Sequence, residues 1–172
     1  MILEIVSYPD ARLRKKSEPV SGLTPEIKQL AADMLETMYH SRGVGLAAPQ
    51  IGQNLRMIVM DHAWTNNEPA PRVIINPALE LLGEKIVSER EGCLSVPLGF
   101  RADVPRYSQV RITGLDADGN EIDEILENLP AIIAQHEVDH LDGKLFIDHI
   151  THLRRNMYDT KVKKWLKSKD NA

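Results

Sequence analysis

The stretch IIAQHEVDHLDG, residues 132–143, sets His136 and His140 four positions apart with Glu137 beside the first. On an α-helix, residues i and i+4 share a face one turn apart, so both imidazoles can converge on one cation while Glu137 stands next to it. Leu129, Ile132 and Ile133 fall on the same stripe, so the imidazoles are expected to point inward. Two inward rings without a ligand would each need a buried polar partner, whereas a metal ion satisfies both at once. Asn128 reads as the N-cap, Pro130 lies in the first turn, and Gly143 closes the helix. This helix is read as the centre of the fold.

Upstream of it the periodicity changes from helical to strand-like. Residues 55–61 (LRMIVMD), 71–80 (PRVIINPALE) and 84–89 (EKIVSE) are short β-branched runs separated by the turn-rich AWTNNEPAP and by Gly83. QVRITGLDADGNEIDEIL holds two further strand-like halves around Asp118-Gly119, a hairpin signal. Before the strands, LTPEIKQLAADMLETMYHSRG predicts a helix with Thr24 as N-cap and Pro25 at its first position. Its apolar side is Ile27, Leu30, Ala31, Met34, Leu35 and Met38. After the histidine helix, a last helix is expected from Thr151 to about Lys167. Leu153, Met157, Val162, Trp165 and Leu166 form its apolar side, and Lys161, Lys163, Lys164, Lys167 and Lys169 lie on or near the other. Helix, strands, helix, helix implies an α+β fold rather than alternating βαβ units.

Composition bounds the rest. A chain of 172 residues, 42% hydrophobic, fits one domain, 1–172, able to bury about two-thirds of its unfolded surface. With 21 basic and 25 acidic residues the net charge is −4, which argues against a broad DNA footprint or a polybasic membrane surface. The N-terminal residues lack the pattern of a secretory signal, and no run reaches the ~18 apolar residues of a membrane span. An intracellular, soluble protein is expected. Its single cysteine, Cys93, cannot form an internal disulfide, and reads as buried filler, a reactive thiol or a metal ligand.

Two imidazoles and a glutamate leave a catalytic metal site one protein ligand short. No glutamate follows Glu137, which removes the arrangement that takes its third ligand from a later helix. Gly143 matches the extended metzincin motif, but Phe146 occupies the third histidine's place. His149, His152 and Asp148 are near in sequence without that spacing. Upstream, Cys93 follows a strand-like run beside Gly92 and before a turn with Pro97, and a thiolate with two imidazoles suits zinc or ferrous iron. A gap of this length constrains nothing, so the residues alone leave the third ligand open.

RGVGLAAPQIG, residues 42–52, contains G-x-G-x-x-A, but a helix precedes it, Pro49 interrupts it and strand-like sequence follows, contrary to a dinucleotide fingerprint. One reading is close packing of small residues on the core. The other is that backbone groups are left open to pair with an extended peptide, with the Gln50 amide as an oxyanion donor.

Taken together and in this order, GVGLAAPQ, EGCLS and QHEVDH resemble the three signature motifs of the peptide deformylases. The similarity runs from VSYPDARLRKKSEPV to the C-terminal helix, with variation in SVPLGFRADVPRY. The resemblance implies that Cys93, His136 and His140 bind ferrous iron in the cell, with zinc, nickel or cobalt as substitutes. It implies an α+β fold with β-sheets around a central helix that bears the histidines, and a hydrolase that removes the formyl group from N-terminal formylmethionine of new bacterial or organellar polypeptides, releasing formate. Nothing at the N-terminus demands an organelle, so a bacterial cytoplasm is expected. In that chemistry Glu137 accepts a proton from the attacking water and returns it to the departing amine. The metal, the Gln50 amide and the Leu94 backbone N–H hold the oxyanion. Ile132 and Ile133 are placed to line a pocket for the methionine side chain. The resemblance adds Val44, Gly45, Glu91, Gly92 and Arg101 as contacts to substrate, Glu91 and Arg101 being equally readable as an ion pair. The C-terminal lysines read as a solvated face or as a contact with ribosomal RNA. Other readings of the same residues are a metallopeptidase, a thiol hydrolase using Cys93, and a structural metal site.

Overall fold

A computed structural model of the chain describes residues 1–171. Five antiparallel strands form one sheet in the order β1(Gly45–Ala47), β2(Met57–Met60), β3(Arg72–Glu91), β4(Ala102–Leu115), β5(Glu121–Glu127). Three helices pack on it: α1(Pro25–His40), α2(Leu129–Leu141) and α3(His152–Asp170). The α+β expectation is met, with the sheet preceding α2 in the chain and α2 packing against all five strands.

Strand β2 shows why its sequence is an unbroken apolar run. Side chains alternate between the two faces of a strand, and both faces are covered here. Ile58 and Met60 meet Ala131, Ala134, Val138 and Leu141 of α2. Met57 and Val59 meet Ala31, Met34 and Met38 of α1. The apolar side expected for α1 is the side it buries, and Thr24 Oγ1 accepts the N–H of Ile27 at its N-terminus.

The runs 71–80 and 84–89, read as two strands, are one continuous strand with three register shifts against β4, between Ile75 and Ala78, Leu82 and Lys85, and Ser88 and Glu91. Each shift carries one residue at positive φ: Asn76 (52°), Gly83 (71°) and Arg90 (51°). Bulges of this kind bend a strand and increase its twist, which lets β3 follow the curved surface of α2. The Asp118-Gly119 hairpin joins β4 and β5 as expected, with Gly119 at φ 85°.

Helix α3 meets its expected face at Val162 and Leu166, which join the core, and departs from it nearer its start. Leu153 and Met157 are 71% and 58% exposed, while Tyr158 and Val162 are buried. The true stripe starts at Tyr158, whose ring packs on Phe100 while its hydroxyl donates to the Pro97 carbonyl at 2.9 Å, so the helix docks on the loop after Cys93. No helix among the described residues is long and apolar enough to cross a membrane.

Asp61, at the end of β2 and fully buried, organises the next loop. Its Oδ1 accepts the backbone N–H groups of Ala63, Trp64 and Ala70, and its Oδ2 accepts the Tyr39 hydroxyl. Burial works against its ionisation, but those donors outweigh burial and hold the carboxyl below the usual range. Asp61→Ala is therefore expected to lower stability at pH 7 by about 3 kcal/mol, because several buried donors lose their acceptor. The folded carboxyl titrates below its unfolded value of about 4. Its contribution is complete above that pH and is lost as pH falls through the lower folded value. Urea midpoints of the two proteins should then converge in acid; a gap unchanged between pH 7 and pH 3 would contradict this role.

Candidate metal centre

Helix α2 brings the two imidazoles together because residues 136 and 140 are one turn apart; their ring centroids are 5.1 Å from each other. Its end is fixed by the backbone. Gly143 sits at φ 74° with the Arg14 carbonyl oxygen 2.4 Å from where a Cβ would stand, so only glycine fits. The helix is buried nearly all round, with Ala131, Ala134, Gln135, Val138 and Leu141 enclosed on the sides away from the histidines. The histidine side, with Ile132 and Ile133, faces a cavity of about 430 Å³. Asn128 stands at the N-cap, but its side chain makes no capping hydrogen bond.

Cys93 lies in the turn after β3. Its Sγ is 3.4 Å from His140 Nε2, and the Ser95 backbone N–H and the Gln50 side-chain amide both approach it at 3.4 Å. One donor atom each from Cys93, His136 and His140 lie within 4.8 Å of one another. Tetrahedral coordination with the usual zinc–sulfur and zinc–nitrogen lengths sets sulfur and nitrogen roughly 3.5 Å apart, close to the Cys93–His140 separation. A soft thiolate and two imidazoles are a chemically sensible donor set for zinc or ferrous iron, and three protein donors is the number of catalytic rather than structural sites. Asp148, by contrast, is occupied by Arg14 and Arg155, and His149 by Asp139.

The surrounding charges prepare the ligands. Burial, then the charge at His136, pushes His140 well below its ordinary value, keeping it in the neutral form that coordinates metal. His136 Nδ1 is 2.7 Å from Glu91 Oε1, which directs Nε2 toward the cysteine. Glu91 is buried and also paired with Arg106, whose guanidinium reaches on to Asp139 at 2.8 Å. Burial opposes ionisation of Glu91, but His136 and Arg106 outweigh it and hold the carboxyl at about 2. The carboxylate thus orients the His136 imidazole. Its arginine partner corrects one expectation: it is Arg106 rather than Arg101, because Glu91 stands opposite Ala102 and Arg106 shares the buried face of β4 with Ala102. Arg101 instead donates to the Arg90 carbonyl at 3.1 Å.

Glu137 is 3% exposed, its Oε1 is 3.9 Å from His140 Nε2, and that oxygen has no hydrogen-bond partner among the described residues. Burial raises its carboxyl to about 7, with Glu91 and Asp139 adding to the rise and His136 and Arg106 opposing it. A cation held by the neighbouring donors would pull it back down. Gly45 makes room for it: a Cβ there would stand 2.5 Å from Glu137 Oε2 and 2.9 Å from its Cγ and Cδ. Gly45→Ala is expected to lower kcat/KM about 100-fold through displacement of this carboxylate, with the fold retained by circular dichroism. Activity within twofold of the parent would show that the close approach is unimportant.

Val44, Gly45, Gln50, Glu91, Gly92, Cys93, Leu94, Arg101, Ile132, Ile133, His136 and Glu137 all line the cavity, while His140 lies beneath it, 1% exposed. Gln50 is fixed on three sides: its Oε1 accepts the Ala47 N–H at 2.9 Å and its amide reaches Ser95 Oγ at 3.0 Å as well as the sulfur. Sequence reasoning did not find Ser95 or Arg106 as supports of the site, nor Arg42, Ser88, Glu89, Arg90 and Leu129 as parts of the lining. Arg42 and Arg90 directly flank two of the motifs, Ser95 ends one of them and Leu129 shares the stripe of Ile132 and Ile133; Ser88, Glu89 and Arg106 are brought in by strand register.

Known proteins show the same arrangement of sequence and fold. Residues 2–156 match the Polypeptide deformylase family. A peptide deformylase of Hyphomonas neptunium is 52% identical over 165 residues, 95% of this chain and 93% of that protein. The crystal structure of a peptide deformylase from Legionella pneumophila superposes with a TM-score of 0.89 at 40% identity, covering 100% of this chain and 99% of that one. A peptide deformylase from Ehrlichia chaffeensis, solved in complex with actinonin, gives a TM-score of 0.88 at 37% identity over 95% of this chain and 96% of that one. With its donor cluster, its cavity and a family match along most of its length, this chain belongs to the polypeptide deformylase family.

Proposed function

We infer that the chain, acting as a single catalytic domain over residues 1–172, hydrolyses the N-formyl group from formylmethionine at the start of new polypeptides and releases formate. The observation that carries this reading is the meeting of Cys93, His136 and His140 beside an unpartnered, buried Glu137 at the floor of a cavity. Those three residues would hold one divalent ion, which supplies Lewis acidity toward water and the formyl carbonyl. The donor set favours Fe²⁺ in the cell, with Zn²⁺, Ni²⁺ or Co²⁺ as substitutes; elemental analysis of anaerobically prepared protein, with formate release rates for each metal, decides among them.

The chain's own groups account for the remaining steps. Glu137 accepts the proton of the attacking water and delivers it to the amine nitrogen as the C–N bond breaks, so no acyl-enzyme is required. The Gln50 amide and the Leu94 backbone N–H stabilise the developing oxyanion. Ile132 and Ile133 take the methionine side chain. Strand β1 is at the edge of the sheet, so the peptide backbone can pair along Val44 and Gly45 as an added strand, with Gly92 and Arg101 on the opposite wall. Glu91 acts on the peptide only indirectly, through His136. The site of action is the bacterial cytoplasm, where exposed lysines of α3 are the surface available to ribosomal RNA.

The test uses formyl-Met-Ala-Ser, its acetylated counterpart and an internally cleavable peptide. Formate from the first alone, abolished by a chelator and restored by metal, is expected. Amino acids without formate would mean a peptidase, and activity indifferent to the chelator would mean a thiol hydrolase.

A further inference from the structure

The mouth of the cavity carries a charge that the site's chemistry does not use. Arg42, Arg90 and Arg101 all line it, all are exposed, and none takes part in an ion pair among the described residues. Of the carboxylates in the lining, Glu91 is bound to Arg106 and His136, and Glu137 is buried on the floor. That leaves Glu89 as the one exposed lining carboxylate, with Asp103 nearby on the Arg90 backbone N–H. Three free guanidiniums around one opening are notable in a chain of net charge −4.

Their backbones are held in place, and none of their side chains has a carboxylate partner among the described residues, Arg101 donating only to the Arg90 carbonyl. Arg42 sits at φ 60° just past α1, its N–H bonded to the Tyr39 carbonyl, and the next residue, Gly43, packs against Leu94 and accepts the Trp64 indole N–H. Arg90 is the bulged residue at the last register shift of β3. Arg101 lies across Gly92, where an added Cβ would be 3.1 Å from its Nη1. A peptide running along Val44 and Gly45 with its formyl end at Cys93 therefore leaves the cavity with Arg42 on one wall and Arg90 and Arg101 on the other.

We propose that these three arginines form a subsite for acidic side chains, selecting formylpeptides with Asp or Glu at the third and fourth residues over those with Lys or Arg there. This rests on the deformylase reading above and adds to it a preference specific to this chain. Solvent-exposed ion pairs change equilibria by roughly two- to fivefold each, so an overall preference of about tenfold for Glu over Lys is expected at low salt. Screening shortens the reach of exposed charges as ionic strength rises, and the preference should shrink accordingly.

The experiment compares kcat/KM for formyl-Met-Ala-Xaa-Xaa-amide with Xaa as Glu, Gln or Lys, using formate release by the metal-loaded enzyme at about 20 mM and about 500 mM salt. The amide end removes the terminal carboxylate. The expected order is Glu, Gln, Lys, with the spread compressed at high salt and the Glu-to-Lys ratio reduced to about twofold in the R42Q/R90Q double variant, which keeps Arg101. Equal rates for the three peptides, a reversed order, or a ratio unchanged in the double variant would overturn the subsite while leaving deformylation intact. Failure to release formate from the Gln peptide would overturn the deformylase reading, and the subsite with it.

Discussion

Glu137→Ala should bind metal as the parent protein does and lose turnover by roughly 10³-fold, the range that a positioned acid–base group contributes. The carboxylate is within the site but outside the ligand set: its Oε1 is 3.9 Å from His140 Nε2, and Cys93, His136 and His140 form the donor cluster without it. Removing it therefore leaves the metal's protein donors intact while abolishing the group that moves the proton. The loss should fall on kcat more than on KM, because the interaction is made with the reacting water and the departing amine rather than with the peptide chain. Since Gly45 and Glu137 are in close contact, the isosteric Glu137→Gln controls for packing and should be equally inactive. Metal loss in both variants, or turnover within tenfold of the parent, would remove Glu137 from its role.

Cys93→Ser should show the opposite pattern. The sulfur is 3.4 Å from His140 Nε2 and is approached by the N–H groups of Ser95 and Gln50, both of which a serine oxygen can also receive. The fold should therefore survive, since the side chain is only partly buried and the change is small. A serine hydroxyl is a poor, protonated substitute for a thiolate at a zinc or iron site. Metal affinity is expected to fall by more than about 100-fold, beyond what changes to residues supporting a ligand cost. Measured by competition with a chromophoric chelator, an affinity within tenfold of the parent would mean that the third donor is another residue.

The parts of this structure that could be read from sequence are those fixed by local geometry. The spacing of His136 and His140 needs only a helix to bring the rings together, and the Asp118-Gly119 turn needs only its own φ preferences. What was hidden depends on register. Asn76, Gly83 and Arg90 bend a single strand whose letters look like two, and the same register turns Arg106 toward Glu91. No spacing in the chain reveals that Glu91 faces His136. Helix α3 failed differently: counting aliphatic residues favoured Leu153 and Met157, whereas the buried stripe begins at Tyr158, an amphipathic ring with its hydroxyl satisfied by Pro97. The third metal ligand stands between these classes: its position 43 residues before His136 acquires geometric meaning only when β3 delivers the turn to the helix, so the resemblance of EGCLS to a family motif, and not its spacing, is what singled out Cys93.

The central claim is that one sulfur and two imidazole nitrogens share a single ion. X-ray absorption of the cobalt-loaded protein reads that ligand set directly. The account predicts one sulfur scatterer and two imidazoles, with the sulfur contribution disappearing in Cys93→Ser. A first shell of nitrogen and oxygen alone in the parent protein would contradict it.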